Sequence, residues 1–157
     1  MAAKADLKEI VDALEMQFEE NTAYLDRDTG HVHVVPVELI RDAEEEEEDA
    51  EERDDLPAWQ KPVWEVARLI VKSPRFVRLP SKFDVHEWEI MNDFSLSVGS
   101  ASVREELLDA IHGSGAFRLF KNTIRRRRIE AAWYEFRAQA LREIAMEWCQ
   151  ENDVPWQ

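Results

Sequence analysis

Apolar residues recur at spacings of three and four along much of this chain, and each such run predicts an amphipathic helix with its stripe turned inward. Over residues 5–19 the stripe is Leu7, Ile10, Val11, Leu14 and Phe18. A second stripe, Val63, Trp64, Ala67, Ile70 and Val71, stops before Ser73-Pro74, because the residue ahead of a proline is driven out of helical geometry. From Ser81 onward Phe83, Ile90, Met91, Phe94 and Val98 share one side, with Gly99 placed just beyond as a C-terminal cap. Ser102 is expected to cap a helix lined by Val103, Leu107, Ala110 and Ile111, and Ser114 to cap one lined by Phe117, Phe120 and Ile124. The longest helix, about residues 129–150, presents Ile129, Trp133, Phe136, Ala140, Ile144 and Trp148.

Near the N-terminal side the period changes. The stretch TAYLDRDTGHVHVV holds two short β-rich runs around residues 26–30, where Gly30 can take the positive φ that a hairpin loop of this length requires. Pro36 ends the second run or confines it to an edge. FVRLP, residues 76–80, alternates and predicts a short strand able to join the hairpin. The expected fold is α+β and mainly helical: five or six helices with a small antiparallel hairpin or three-stranded sheet.

Length and charge refine this picture. At 157 residues, the chain is the size of one ordinary domain, residues 1–157, and can bury a core without disulfides. Its six Trp and seven Phe fall at helical intervals and are expected to pack. The single cysteine, Cys149, excludes an internal disulfide and fits a reducing compartment. No segment approaches the run of about 18 apolar residues that spans a bilayer, and the opening residues lack a signal-peptide core, so a cytoplasmic protein with no membrane partner is expected. Of the formal charge of −14, −10 falls in residues 42–55, which predicts an acidic linker or frayed helix dividing a small N-terminal part from a larger helical one.

Against that acidity, HGSGAFRLFKNTIRRRR, residues 112–128, carries six cations and no carboxylate. A helix N-terminus offers unpaired N–H groups and about half a positive charge, and glycine permits close approach, so Ser114, Gly115, Arg118 and Lys121 form a candidate anion-binding face. No phosphate-loop motif accompanies it. Arg125, Arg126, Arg127 and Arg128 could meet an external polyanion or the chain's own acidic segment; internal pairing is favoured and a nucleic-acid partner is disfavoured. Glu87 falls among Phe83, Ile90 and Phe94 on a helical wheel, which makes it a candidate buried acid with Arg118 as its partner.

Other polar clusters are weaker. His86, Glu89, Asp109 and His112 supply histidine and carboxylate pairs three apart, a partial likeness to a di-metal bundle that lacks the bridging glutamates. His31 and His33 share a strand face near Asp26 and Asp28, but the Asp-x-Asp-x-Gly order does not match a calcium loop. Cys149 lies at the negative end of the last helix between Glu147 and Glu151, where a thiolate nucleophile is disfavoured. No catalytic constellation, resident metal or cofactor is expected from these residues.

The pieces YLDRDTG, PAWQ, LPSKFDVHEWEIMNDF, IHGSGAFRLFKNTI, WYEFR and IAMEWCQEN, spread from Tyr24 to Asn152, resemble the bacterial uncharacterised protein family 0158. That resemblance implies an acidic run before PAWQ and brings no activity, substrate or catalytic residue with it. The expected role is a non-enzymatic binding or regulatory protein whose partner is a protein or small anionic ligand. Rival expectations are a metal-dependent hydrolase or other metalloenzyme using His86, Glu89, Asp109 and His112, and an acidic DNA mimic that captures a basic protein.

Overall fold

Two sets of secondary-structure elements, described separately below, account for the chain in a computed structural model that describes residues 3–16, 19–46 and 55–157. Among the described residues there are seven helices of nine residues or more, one single-turn helix and three strands, the expected mainly helical α+β class with one helix beyond the expected number.

The first unit comprises Met1–Lys82 and Ala145–Gln157. Its helix α1 (Leu7–Glu15) starts where the Asp6 carboxylate accepts the Lys8 N–H at 2.9 Å, and Leu7, Ile10 and Leu14 are buried. The strands β1 (Asn21–Asp26) and β2 (Val32–Pro36) pair antiparallel, and β3 (Phe76–Arg78) adds to the other side of β1, giving the order β2-β1-β3. FVRLP therefore joins the hairpin as its pattern predicts. Both outer edges carry side-chain caps: the Glu9 carboxylate accepts the Val32 N–H at 2.8 Å, and the Trp148 indole N–H donates to the Arg78 carbonyl at 3.1 Å. Such caps, with Pro36 at the end of β2, protect edges that would otherwise template pairing with another chain.

The helix beyond the expected number is α2 (Val37–Glu45), which begins directly after Pro36. Leu39, Ile40 and Ala43 pack with Val35 of the sheet and with Trp64, Ala67 and Ile70 of α3 (Lys61–Lys72). Burying side chains of this size stabilises by about 1.5–3 kcal/mol each, enough to hold a helix that ends in consecutive glutamates. The acidic run does not divide one part of the fold from another: its first residues, 42–45, form the last turn of α2, and α2 shares one core with α3 beyond the run. Its residues 47–54 lie outside the described residues.

The C-terminal tail completes this unit. The helix α8 (Glu130–Glu151) ends with Asp153 at φ 55, the Val154 N–H reaching back to the Cys149 carbonyl at 2.8 Å. Trp156 then bridges Ala5 in parallel, with the Ala5 N–H donating to the Pro155 carbonyl at 2.8 Å.

The second unit is Phe83–Ile144. It holds α5 (Glu87–Ser97), α6 (Ala101–Ile111), α7 (Ala116–Arg126) and the portion of α8 up to Ile144; the single turn α4 (Lys82–Val85) leads into it. Phe94 sits edge-on to Trp133 and Phe136, both at 5.4 Å between ring centroids, and Phe120 edge-on to Trp133 at 4.8 Å. Aromatic edge-to-face pairs add about 0.5–1.5 kcal/mol beyond area burial. On α8 the buried places are Trp133 and Leu141 and, within the first unit, Ala145, Trp148 and Cys149, while Ala140 and Ile144 are half-buried.

Several boundaries differ from the periodic expectation. The helix expected from Ser81 is broken at His86, whose backbone is left-handed at φ 53, and a new helix starts at Glu87. Val98 ends α5 in extended geometry, so Gly99 is not a left-handed cap. Ser100, not Ser102, caps α6 by accepting the Val103 N–H.

Candidate functional site

At the junction of α6 and α7, residues 113–115 form a turn and Gly115 is the N-cap residue of α7 at φ 73. Ser114 is exposed and does not cap the helix; α7 has no side-chain cap. Its first helical hydrogen bond runs from the Leu119 N–H to the Gly115 carbonyl at 3.0 Å, so the N–H groups of Ala116, Phe117 and Arg118 point out of the helix end without a protein partner among the described residues. A Cβ on Gly115 would meet one atom within 4 Å, Nη2 of Arg118 at 3.8 Å. The Arg118 guanidinium therefore folds back over the helix start. Arg118 and Lys121 are exposed, and neither makes a hydrogen bond or ion pair with the described residues.

Phe117, expected in the core with Phe120 and Ile124, is 54% exposed. The buried stripe of α7 is Phe120, Thr123 and Ile124, with the Thr123 hydroxyl satisfied by the Leu119 carbonyl at 2.8 Å. Phe117 is adjacent to Lys121 one turn on, and Arg118 is adjacent to Lys121 as well, so an aromatic ring and two cations share one patch.

The far end of the same helix is different. Arg126 and Arg127 both pair with Glu106 of α6, the second with Nε at 2.7 Å, and Arg125 lies 3.8 Å from Glu130. Arg128 occupies the left-handed position at φ 59, the Arg128 N–H donating to the Arg125 carbonyl and the Ile129 N–H to the Ile124 carbonyl. This is the paired-bond helix terminus that usually employs glycine. The arginine run is thus engaged in closing α7 and tying it to α6, with Glu106 and Glu130 as partners where the acidic segment was the expected one.

Glu87 pairs with Arg137, not with Arg118: Nη2 and Nε of Arg137 lie 2.5 and 3.1 Å from Oε1. Both side chains are half-buried. The break at His86 shifts the helix start and removes Glu87 from the wheel on which it falls among apolar residues. One signal for the true partner is visible in the chain: Arg137 falls four residues from both Trp133 and Leu141, inside the buried stripe of α8, where an arginine needs a carboxylate.

His86, Glu89, Asp109 and His112 are not brought into one ligand set. Among the described residues no three or more His, Cys, Asp or Glu side chains converge as a metal site would require. Instead His112 Nδ1 donates to the Leu108 carbonyl and the ring meets Trp88 edge-on at 5.8 Å, while the Trp88 indole donates to the Ile111 carbonyl at 2.9 Å. These contacts finish the end of α6.

The residues of DRDTG hold the hairpin. Asp26 is 2% exposed, accepts the Asp28 N–H at 2.9 Å and faces Arg75 at 3.3 Å. His31 lies 3.4 Å from Glu9, at the edge of the sheet. Cys149 is fully buried, and burial pushes its thiol from the ordinary 9.0 up to about 11, which keeps it protonated at neutral pH.

Among the described residues no helix is long and apolar enough to cross a membrane. Residues 4–156 match the family model described as Uncharacterised protein family (UPF0158), so the chain belongs to that family. Neither a curated protein nor a solved structure matches it.

Proposed function

We propose that this chain is a non-enzymatic binding or regulatory protein in which the start of α7 accepts an anionic group from a protein or small-molecule partner. The observation that carries this reading is Arg118, exposed, without an ion pair among the described residues, and folded over a glycine that leaves the helix end open. Helix energetics add weight. A cation in the first turn opposes the positive end of the helix dipole, at a cost of about 0.3–1 kcal/mol, and the third helical position, where Arg118 stands, is the place a capping glutamate would stabilise. The last turn of α7, by contrast, obeys the dipole rule with Arg125 and Arg126. A local rule broken at one end of a helix and kept at the other is the mark expected of a recognition surface.

Chemically, a guanidinium fork offers two parallel N–H donors to a carboxylate or phosphate, and the Ala116 and Phe117 N–H groups add donors from the backbone. Lys121 supplies a second charge one turn along. Calorimetric titration with inorganic phosphate and with acetate, on the wild type and on Arg118→Ala, tests the reading. Heats lost in the variant support it, with Arg127→Ala retaining them; identical heats in wild type and Arg118→Ala remove the site.

A further inference from the structure

The patch on α7 says more about its partner than a charge alone would. An inorganic anion or a phosphate group satisfies Arg118 and Lys121 but leaves Phe117 in water, and a phenylalanine half in solvent, on a helix whose apolar stripe already closes with Phe120 and Ile124, has nothing to cover it within the described residues. From residue 113 to residue 129 the chain holds six cations and no carboxylate; Arg126 and Arg127 are taken by Glu106 and Arg125 lies beside Glu130. Of the three cations left, Arg128 stands at the left-handed far end of α7; at its start two cations one turn apart and one ring remain. Resting on the anion-accepting reading above, we propose that the patch formed by Phe117, Arg118 and Lys121 docks an acidic protein segment, one that carries two carboxylates a helical turn apart and an apolar side chain beside them.

Charge complementarity selects this occupant over a nucleic acid. A strand or duplex presents a dense row of phosphates and gains affinity by engaging many cations, whereas this patch offers two, on a chain of formal charge −14 that repels an extended polyanion. A short acidic segment needs only local contacts, and physiological salt screens charges more than about 8 Å away. The aromatic ring supplies the desolvated anchor around which interface energy concentrates, and the cations fix orientation.

Fluorescence anisotropy with a panel of labelled helical peptides tests this. Each peptide carries glutamates three or four apart with a Leu or Phe in the same turn; matched controls replace the apolar residue with Ser or the glutamates with Gln. Saturable binding of the acidic, anchored peptides is expected, weakened by about tenfold or more in Phe117→Ser and in Arg118→Ala, a loss equivalent to about 1.4 kcal/mol. Arg127→Ala should retain affinity, and thermal melts should show every variant folded. Equal binding of peptides with and without the apolar residue, or of wild type and Phe117→Ser, overturns the inference, as does tighter binding of a single-stranded oligonucleotide. If no peptide binds while phosphate heats still depend on Arg118, the docking inference falls and the anion-accepting reading stands. If neither phosphate nor peptide binding depends on Arg118, both fall.

Discussion

Two glycine-bearing stretches, residues 26–30 in the first unit and residues 113–118 in the second, use similar residue types in opposite ways. In the hairpin the central polar groups are turned to the fold: Asp26 is buried against Arg75 and the Asp28 N–H, the Gly30 N–H donates to the Asp26 carbonyl at 2.8 Å, and the Arg27 carbonyl accepts the Ala3 N–H. At the start of α7 the equivalent groups have no partner among the described residues. Aspartates beside a glycine invite a metal-loop reading, and cations beside a glycine invite a phosphate reading. What separates architecture from a free surface is whether the groups are already spoken for, a property of pairing that residue type alone does not reveal.

The glycines sharpen the contrast because their backbones match. Gly30 has φ 76 and Gly115 has φ 73. Any difference between their alanine variants therefore comes from neighbours. A Cβ on Gly30 would lie 2.4 Å from the backbone carbonyl oxygen of Lys4, in a segment pinned by the Ala3–Arg27 and Ala5–Pro155 hydrogen bonds. Gly30→Ala is expected to lose about 3 kcal/mol, roughly 1 from left-handed strain and the rest from displacing that segment, read as a fall in the urea midpoint. Gly115→Ala is expected to lose only about 1 kcal/mol, since the nearest atom is the movable end of Arg118 at 3.8 Å. Equal losses at the two positions would show that the approach of Lys4 carries no weight.

Legibility in the sequence followed the range of the interaction. Local periodicity marks α1, α3, α6 and α8, and the turn chemistry of residues 26–30 with the alternation of residues 76–78 marks the sheet. The short helix α2 is hidden because its apolar triad, Leu39, Ile40 and Ala43, runs straight into the glutamates that dominate the composition there. A break at His86 leaves no trace in periodicity, because a histidine in the left-handed region carries no sequence mark of the kind glycine gives. Pairs closed by tertiary structure were less legible: Glu87 with Arg137 lie 50 residues apart, Glu106 with Arg127 lie 21 apart, and the Ala5–Trp156 bridge joins the two ends of the chain. At the candidate site the positions of Gly115, Arg118 and Lys121 were readable, but the exposure of Phe117 was not, since its spacing from Phe120 and Ile124 fits an inward stripe as well as an outward one.

The smallest expected effect is also the one that separates the two stretches most directly, because it predicts a gain. Arg118 stands at the third helical position of α7, beside N–H groups without a partner among the described residues and the positive end of the helix dipole. A glutamate there reverses an unfavourable charge and can reach back toward the N-cap backbone, so Arg118→Glu should raise stability by about 0.5–1 kcal/mol, visible as a higher melting temperature. Salt should shrink the gain, since the position is exposed and the interaction is screened. A residue serving the fold cannot behave this way: had Arg118 been tied as Arg127 is tied to Glu106, its reversal would leave a carboxylate against a carboxylate and lower the melting temperature. A fall in stability on Arg118→Glu would place the start of α7 with the hairpin, among the stretches already in use, and would take away the reason for regarding it as kept open for a partner.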